Sequence, residues 1–129
     1  MDNRLLLDTC AILWLATDSE SLSTVARLAI EEAEEVYVSA VSAWEIALKY
    51  NNGKLHLPCE PAQWFDHALQ VFNIQVLPSN YHTAMRSTSL PGHHQDPCDR
   101  MIIQTAIDNG LTVVTGDRRF AEYGLSILA

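Results

Sequence analysis

The chain has 129 residues, 48% of them hydrophobic, which is enough to bury the core of one domain over residues 1–129 without crosslinks. Its formal net charge of -8 argues against a broad basic nucleic-acid-binding face, and no apolar run approaches the roughly 20 residues that span a bilayer, so no membrane association is expected. Three scattered cysteines, Cys10, Cys59 and Cys98, follow a start with no apolar leader and read as reduced thiols of a cytoplasmic protein.

In chain order, Arg4 to Asp8 is a short apolar run ending in an acid, the pattern of a buried strand. Helix formers occupy Ala11 to Ala16, and Leu22, Val25, Leu28, Ala29 and Ile30 predict a second helix that runs into the acidic stretch Glu31 to Glu35, read as a solvated helix surface. Val36 to Ser39 has strand composition. Ser39 or Ser42 is placed to cap the helix containing Trp44, Ile46, Leu48 and Tyr50, which Asn51-Asn52-Gly53 stops. Pro61 suits the first turn of a helix whose apolar side carries Trp64, Phe65, Ala68, Leu69 and Phe72, and Ile74 to Leu77 is a further strand. Ser79 to Leu90 reads as a helix, and Pro91 to Gln95 as a loop. Asp96 caps and Pro97 opens the next helix, which Asn109-Gly110 ends. Leu111 to Thr115 is a strand, a short helical segment runs through Phe120, and Leu125 to Leu128 forms an edge strand. Trp14, Trp44 and Trp64 each fall in an amphipathic pattern and are expected in the core.

Strands alternating with helices predict an α/β fold, a three-layer α/β/α sandwich around a mainly parallel sheet. In such a sheet the functional crevice lies beyond the carboxyl ends of the strands. Asp8 and Asp117 follow strands there, Glu45 lies in the opening turns of a helix, and Asp99 lies in the first turn of another. Taken singly, each has an ordinary reading as a turn, cap, dipole or surface acid. Four carboxylates facing one cleft repel one another unless a cation neutralises them, and Mg²⁺ or Mn²⁺, with its preference for oxygen ligands, suits that task and phosphodiester hydrolysis.

Five segments carry a resemblance: Leu-Leu-Leu-Asp-Thr at 5–9, Val-Ser-Ala-Val-Ser-Ala-Trp-Glu-Ile-Ala-Leu-Lys at 38–49, Gly-Lys-Leu-His-Leu-Pro at 53–58, His-His-Gln-Asp-Pro-Cys-Asp-Arg at 93–100 and Val-Val-Thr-Gly-Asp at 113–117. In that order they resemble the PIN-domain family and, more narrowly, its VapC-type toxin branch. The resemblance implies a metal-dependent endoribonuclease in which Asp8, Glu45, Asp99 and Asp117 hold Mg²⁺ or Mn²⁺. It also implies an outer role for Asp96, small hydroxyl residues at Thr9 and Thr115 that orient a carboxylate or a water, a homodimer, and a cognate antitoxin that covers the cleft. Cys98 replaces the family's usual aromatic residue and is expected to pack.

Other candidates are weaker. His93 and His94 with Asp96 and Cys98 match no standard zinc spacing and read as loop or substrate contacts. Arg118 and Arg119 border the cleft and suit phosphate, while Arg100 is open between a phosphate contact and a structural ion pair. Two rival readings remain. A phosphatase with Asp8 as nucleophile lacks its second acid, since Cys10 stands there, and no lysine occupies an obvious partner position. A non-catalytic binding module on the same fold would have no use for a complete acidic quartet.

Overall fold

A computed structural model describes residues 3–129, so Met1 and Asp2 of the expected domain lie outside it. Five strands, β1 (Arg4–Leu7), β2 (Glu35–Ser39), β3 (Ile74–Leu77), β4 (Thr112–Val114) and β5 (Ile127–Leu128), alternate with helices. These are α1 (Thr9–Ala16), α2 (Thr24–Glu32), α3 (Ala40–Asn51), α4 (Pro61–Val71), α5 (Tyr81–Ser87) and α6 (Pro97–Asn109), and a 3₁₀ helix follows at Arg118–Tyr123.

Local chemistry sets most of these boundaries. Side chains of Asp8, Ser23, Ser39, Asn80 and Asp96 accept hydrogen bonds from the first-turn N–H groups of α1, α2, α3, α5 and α6, groups that otherwise lack partners. Ser39 is thus the cap of α3. Ser42 instead lies buried with its hydroxyl 2.9 Å from that of Thr9. Gly110 ends α6 in the left-handed conformation, at φ 63°, which a residue with a side chain adopts only at a cost.

All four strand pairings are parallel, in the order β3-β2-β1-β4-β5. Leu7 pairs with both Val38 and Val114, so the chain leaves β1, β2 and β4 at one level. Alternate residues of β1 supply the two cores. Leu5 and Leu7 pack with Ile12, Ile46, Trp64 and Phe65 from α1, α3 and α4, whereas Leu6 packs with Ile102, Ile103 and Phe120 on the opposite face. The expected three layers follow from this alternation. From β1 the chain crosses to β2 on one side, while β4 lies on the other. Strand order therefore reverses between β1 and β4, which opens a crevice at their carboxyl ends.

Three expectations change. Glu35 begins β2 rather than ending a helix surface, and the Tyr37 hydroxyl donates to its Oε2 at 2.7 Å. The helix expected over Ser79 to Leu90 is regular only over Tyr81–Ser87. Trp44 is 57% exposed, while Trp64 is buried as expected. Trp44 stands two residues from Ile46, about 200° around the helix, so the two cannot share a buried face. Among the described residues, no helix is long and apolar enough to cross a membrane.

Candidate active site

Asp8, Glu45, Asp99 and Asp117 line one open cleft of ≈ 440 Å³ together with Asp96, and Lys49 and Arg118 are the cations on its wall. Each acid arrives by its own local route. Asp8 extends β1 by one residue, its N–H donating to the Val114 carbonyl at 3.1 Å, and its Oδ1 caps α1 by accepting from the Ala11 N–H at 2.7 Å. Asp99 sits in the first turn of α6, where its N–H donates to Asp96 Oδ1 at 3.1 Å. Asp117 leaves β4 through a turn in which its N–H donates to the Thr115 hydroxyl at 3.0 Å. Glu45 projects from the second turn of α3, with Lys49 Nζ 3.0 Å from its Oε2.

The charges of this cluster are unevenly settled. Burial pushes the Asp99 carboxyl up to about 7, and the carboxylates of Asp96, Asp8, Glu45 and Asp117 add to the shift. Asp8 is raised for the same first reason, against hydrogen bonds from Thr115 and the Ala11 N–H that pull it down. Asp117 is held down at about 2, mainly by Arg119. Four hydrogen bonds converge on Asp117. Arg119 N and Nε each donate to Oδ1 at 3.0 Å, Arg119 Nη2 donates to Oδ2 at 2.7 Å, and His94 Nε2 lies 2.9 Å from Oδ2.

The donor set fits a hard divalent cation. Glu45 Oε1 is buried without any hydrogen-bond partner, a state that costs about 1–3 kcal/mol for a polar atom and more for a charged one. An oxygen-seeking ion would satisfy it and offset the repulsion that raises Asp99.

Several sequence assignments are sharpened or overturned. Arg100 is turned onto the backbone carbonyls of the loop before α6. Its Nη1 donates to the carbonyls of Pro91 and His94 at 3.0 and 2.9 Å, and its Nη2 to those of Ser87, Leu90 and Thr88 at 2.9, 2.6 and 3.4 Å. Both terminal nitrogens of the guanidinium are thus engaged by the loop, which argues against a role in holding RNA phosphate. Arg118 lines the cleft, whereas Arg119 is committed to Asp117. Asp96 caps α6, and Cys98 is buried with its thiol pushed up to about 11 by that burial, the state of a packing residue. Trp14 is only partly buried and lines the cleft beside Gly116.

Sequence reasoning missed two residues. Lys49 stands in the cleft one helical turn after Glu45, a spacing the sequence displays. His94 is 2% exposed, with Nε2 2.9 Å from Asp117 Oδ2 and 3.0 Å from Asp99 Oδ2. No local signal separates it from His93, whose side chain is 42% exposed and 3.9 Å from Glu122.

A cleft at the reversal point of a parallel sheet, walled by carboxylates from β1, α3, α6 and the turn after β4, is the architecture of a PIN domain. Residues 5–125 match the PIN domain family, and the chain belongs to it. It is 35% identical over 120 residues to Ribonuclease VapC22 of Mycobacterium tuberculosis, a match covering 92% of this chain and 90% of that protein. Its fold is similar to that of VapBC2 from Rickettsia felis bound to a promoter DNA fragment, with TM-score 0.71, 15% identity and 97% of each chain covered. DNA-bound VapBC from Salmonella typhimurium gives 0.65 at 22% identity, covering 99% of this chain and 98% of that one.

Proposed function

We propose that this chain is an endoribonuclease, the toxin of a toxin–antitoxin pair, that hydrolyses RNA phosphodiester bonds with Mg²⁺ or Mn²⁺ held by Asp8, Glu45, Asp99 and Asp117. The observation that carries the reading is the orphaned Glu45 Oε1, buried in a cleft walled by four further carboxylates. The 35% identity to a ribonuclease supports the substrate class. When bound, the cation supplies activation of a water and charge neutralisation at a phosphate oxygen.

The protein's own groups do the rest. Asp8, Glu45 and Asp99 would hold the ion, and Asp117 would join them on release of its oxygens by Arg119. Burial and the neighbouring carboxylates favour the protonated form of Asp99, and a bound cation would favour its carboxylate. One carboxylate of the set takes the proton of the attacking water. Lys49 and Arg118, the two cations on the wall of this acidic cleft, are placed to meet the RNA backbone, and Arg119 can join them when released. Thr9 and Thr115 steady the turns that present Asp8 and Asp117.

The partners follow from the same reading. Trp44 and Leu48, exposed one turn apart on α3, suit an apolar contact with an antitoxin segment. Tyr81, Met85 and Ile107, exposed on α5 and α6, suit a second copy of the chain. An antitoxin silences the site most simply by placing a basic side chain among the carboxylates.

The test is RNA cleavage with Mn²⁺, with EDTA, and with Asp8→Asn and Asp99→Asn. Activity should vanish in EDTA, return on adding metal, and fall to background in both variants; cleavage that survives all three overturns the mechanism. A non-catalytic module, the other reading, predicts no carboxylate-dependent Mn²⁺ uptake by calorimetry.

A further inference from the structure

His94 is held through both its backbone and its ring. Its backbone N–H donates to the Tyr123 hydroxyl at 2.8 Å, and its carbonyl accepts from Arg100 Nη1 at 2.9 Å. The ring packs edge-on against Phe120 with centroids 5.7 Å apart. Nδ1 accepts the backbone N–H of Asp96 at 3.2 Å. Only Nε2 is left to act, and it faces Asp117 Oδ2 and Asp99 Oδ2, the three atoms lying within 4.8 Å of one another.

The contact at Nδ1 decides the tautomer. A backbone N–H is always a donor, so the ring nitrogen it meets must be the unprotonated one, and the proton of the neutral ring sits on Nε2. Placing a cation on Nε2 would move that proton to Nδ1, leaving two N–H groups facing each other 3.2 Å apart. The imidazole is therefore built as a donor to carboxylates and not as a ligand. Asp99 and Asp117 come from different elements and repel each other. A buried N–H hydrogen-bonded to Asp117 Oδ2 and 3.0 Å from Asp99 Oδ2 offsets that repulsion and brings the two carboxylates to one point before any ion arrives.

We propose that His94 is the positioning residue of the metal centre, an Nε2–H donor that holds Asp99 and Asp117 together and does not itself bind the ion. This rests on the metal-dependent reading above. It accounts for why a loop residue is buried so thoroughly at the rim of an active cleft.

The experiment has two arms on the full chain. Nitrogen-15 NMR of histidine-labelled, metal-free protein should show His94 with a protonated Nε2 and an unprotonated Nδ1, unchanged when Mg²⁺ is added. The opposite tautomer, a doubly protonated ring, or a switch of the proton to Nδ1 on adding Mg²⁺ overturns the proposal. In the second arm, Mn²⁺ is titrated by calorimetry into wild type, His94→Gln and His94→Leu. Leu should weaken binding about 10- to 100-fold, as loss of an outer hydrogen-bond partner does. Gln, which keeps an N–H near the Nε2 position, should recover most of it. Equal affinity in all three, or equal loss in Gln and Leu, overturns the positioning role while leaving the metal site intact. Wild-type protein that takes up no Mn²⁺ removes both the site and the proposal. Thermal unfolding checks that the variants fold, and the NMR arm decides the matter without them.

Discussion

Arg119 grips Asp117 in a two-pronged ion pair, Nε on Oδ1 at 3.0 Å and Nη2 on Oδ2 at 2.7 Å. With the Arg119 N–H and His94 also in place, all four lone-pair positions of the carboxylate are taken. The pair competes directly with a cation for Asp117. Arg119→Ala is expected to tighten Mn²⁺ binding several-fold by calorimetry and to let the Asp117 carboxyl rise from about 2. Because the Arg119 side chain is 55% exposed, stability should hardly change. Weaker or unchanged metal affinity would show that the ion pair is no barrier.

Asp99 makes the metal-free protein sensitive to pH. Its folded-state pKa, about 7, lies above the ordinary 3.8, so the native form binds the extra proton across that window. Its contribution to stability is present at acidic pH and is lost as pH rises through about 7. Asp117, depressed to about 2, acts in the opposite sense but only as pH falls below about 4. In EDTA, thermal unfolding should occur at a lower temperature at pH 8 than at pH 5. Asp99→Asn should reduce that slope and stabilise the protein at pH 8 by on the order of 1 kcal/mol, with Asp8 keeping the remainder. A melting temperature that climbs from pH 5 to pH 8 in EDTA contradicts this account.

Arg100 gathers five backbone carbonyls from residues 87–94 onto one guanidinium, and so shapes the loop that carries His94. Arg100→Ala leaves those acceptors without a partner and should cost on the order of 3 kcal/mol in urea unfolding. Lysine at this position should restore less than half, since one ammonium cannot serve acceptors spread across a planar fork. Full rescue by lysine would mean that charge alone is required.

Gly116 stands so close to Trp14 that an added Cβ would meet Cη2 of the indole at 2.9 Å. Gly116→Ala should push the ring out of place at the floor of the cleft and cost about 1–3 kcal/mol. Tryptophan fluorescence should shift along with stability. An alanine variant with wild-type emission and melting would show that the indole yields freely.

The acids at Asp8, Asp99 and Asp117 are legible because each lies where a strand ends or a helix begins, and those junctions are written in near neighbours. Asp96-Pro97 before Asp99, and Thr115-Gly116 before Asp117, are turn and cap chemistry acting over two or three residues. Glu45 is legible as a helix acid, and the motif order around it carries the family resemblance. Trp44 is misplaced by the same kind of reasoning, because helical spacing tells which residues share a face and not which face is covered.

His94 and Arg100 lie beyond such reasoning. His94 meets Asp117 across 23 residues of chain, and one guanidinium meeting five carbonyls depends on how a loop folds back over the start of α6. From residue order one can read where the backbone must turn and which short side chains will cap it, since those energies are local. Which polar atoms end up sealed from water, and against what, is set by packing between distant segments, and on that rest the surroundings of His94, the orphaned oxygen of Glu45 and the raised pKa of Asp99.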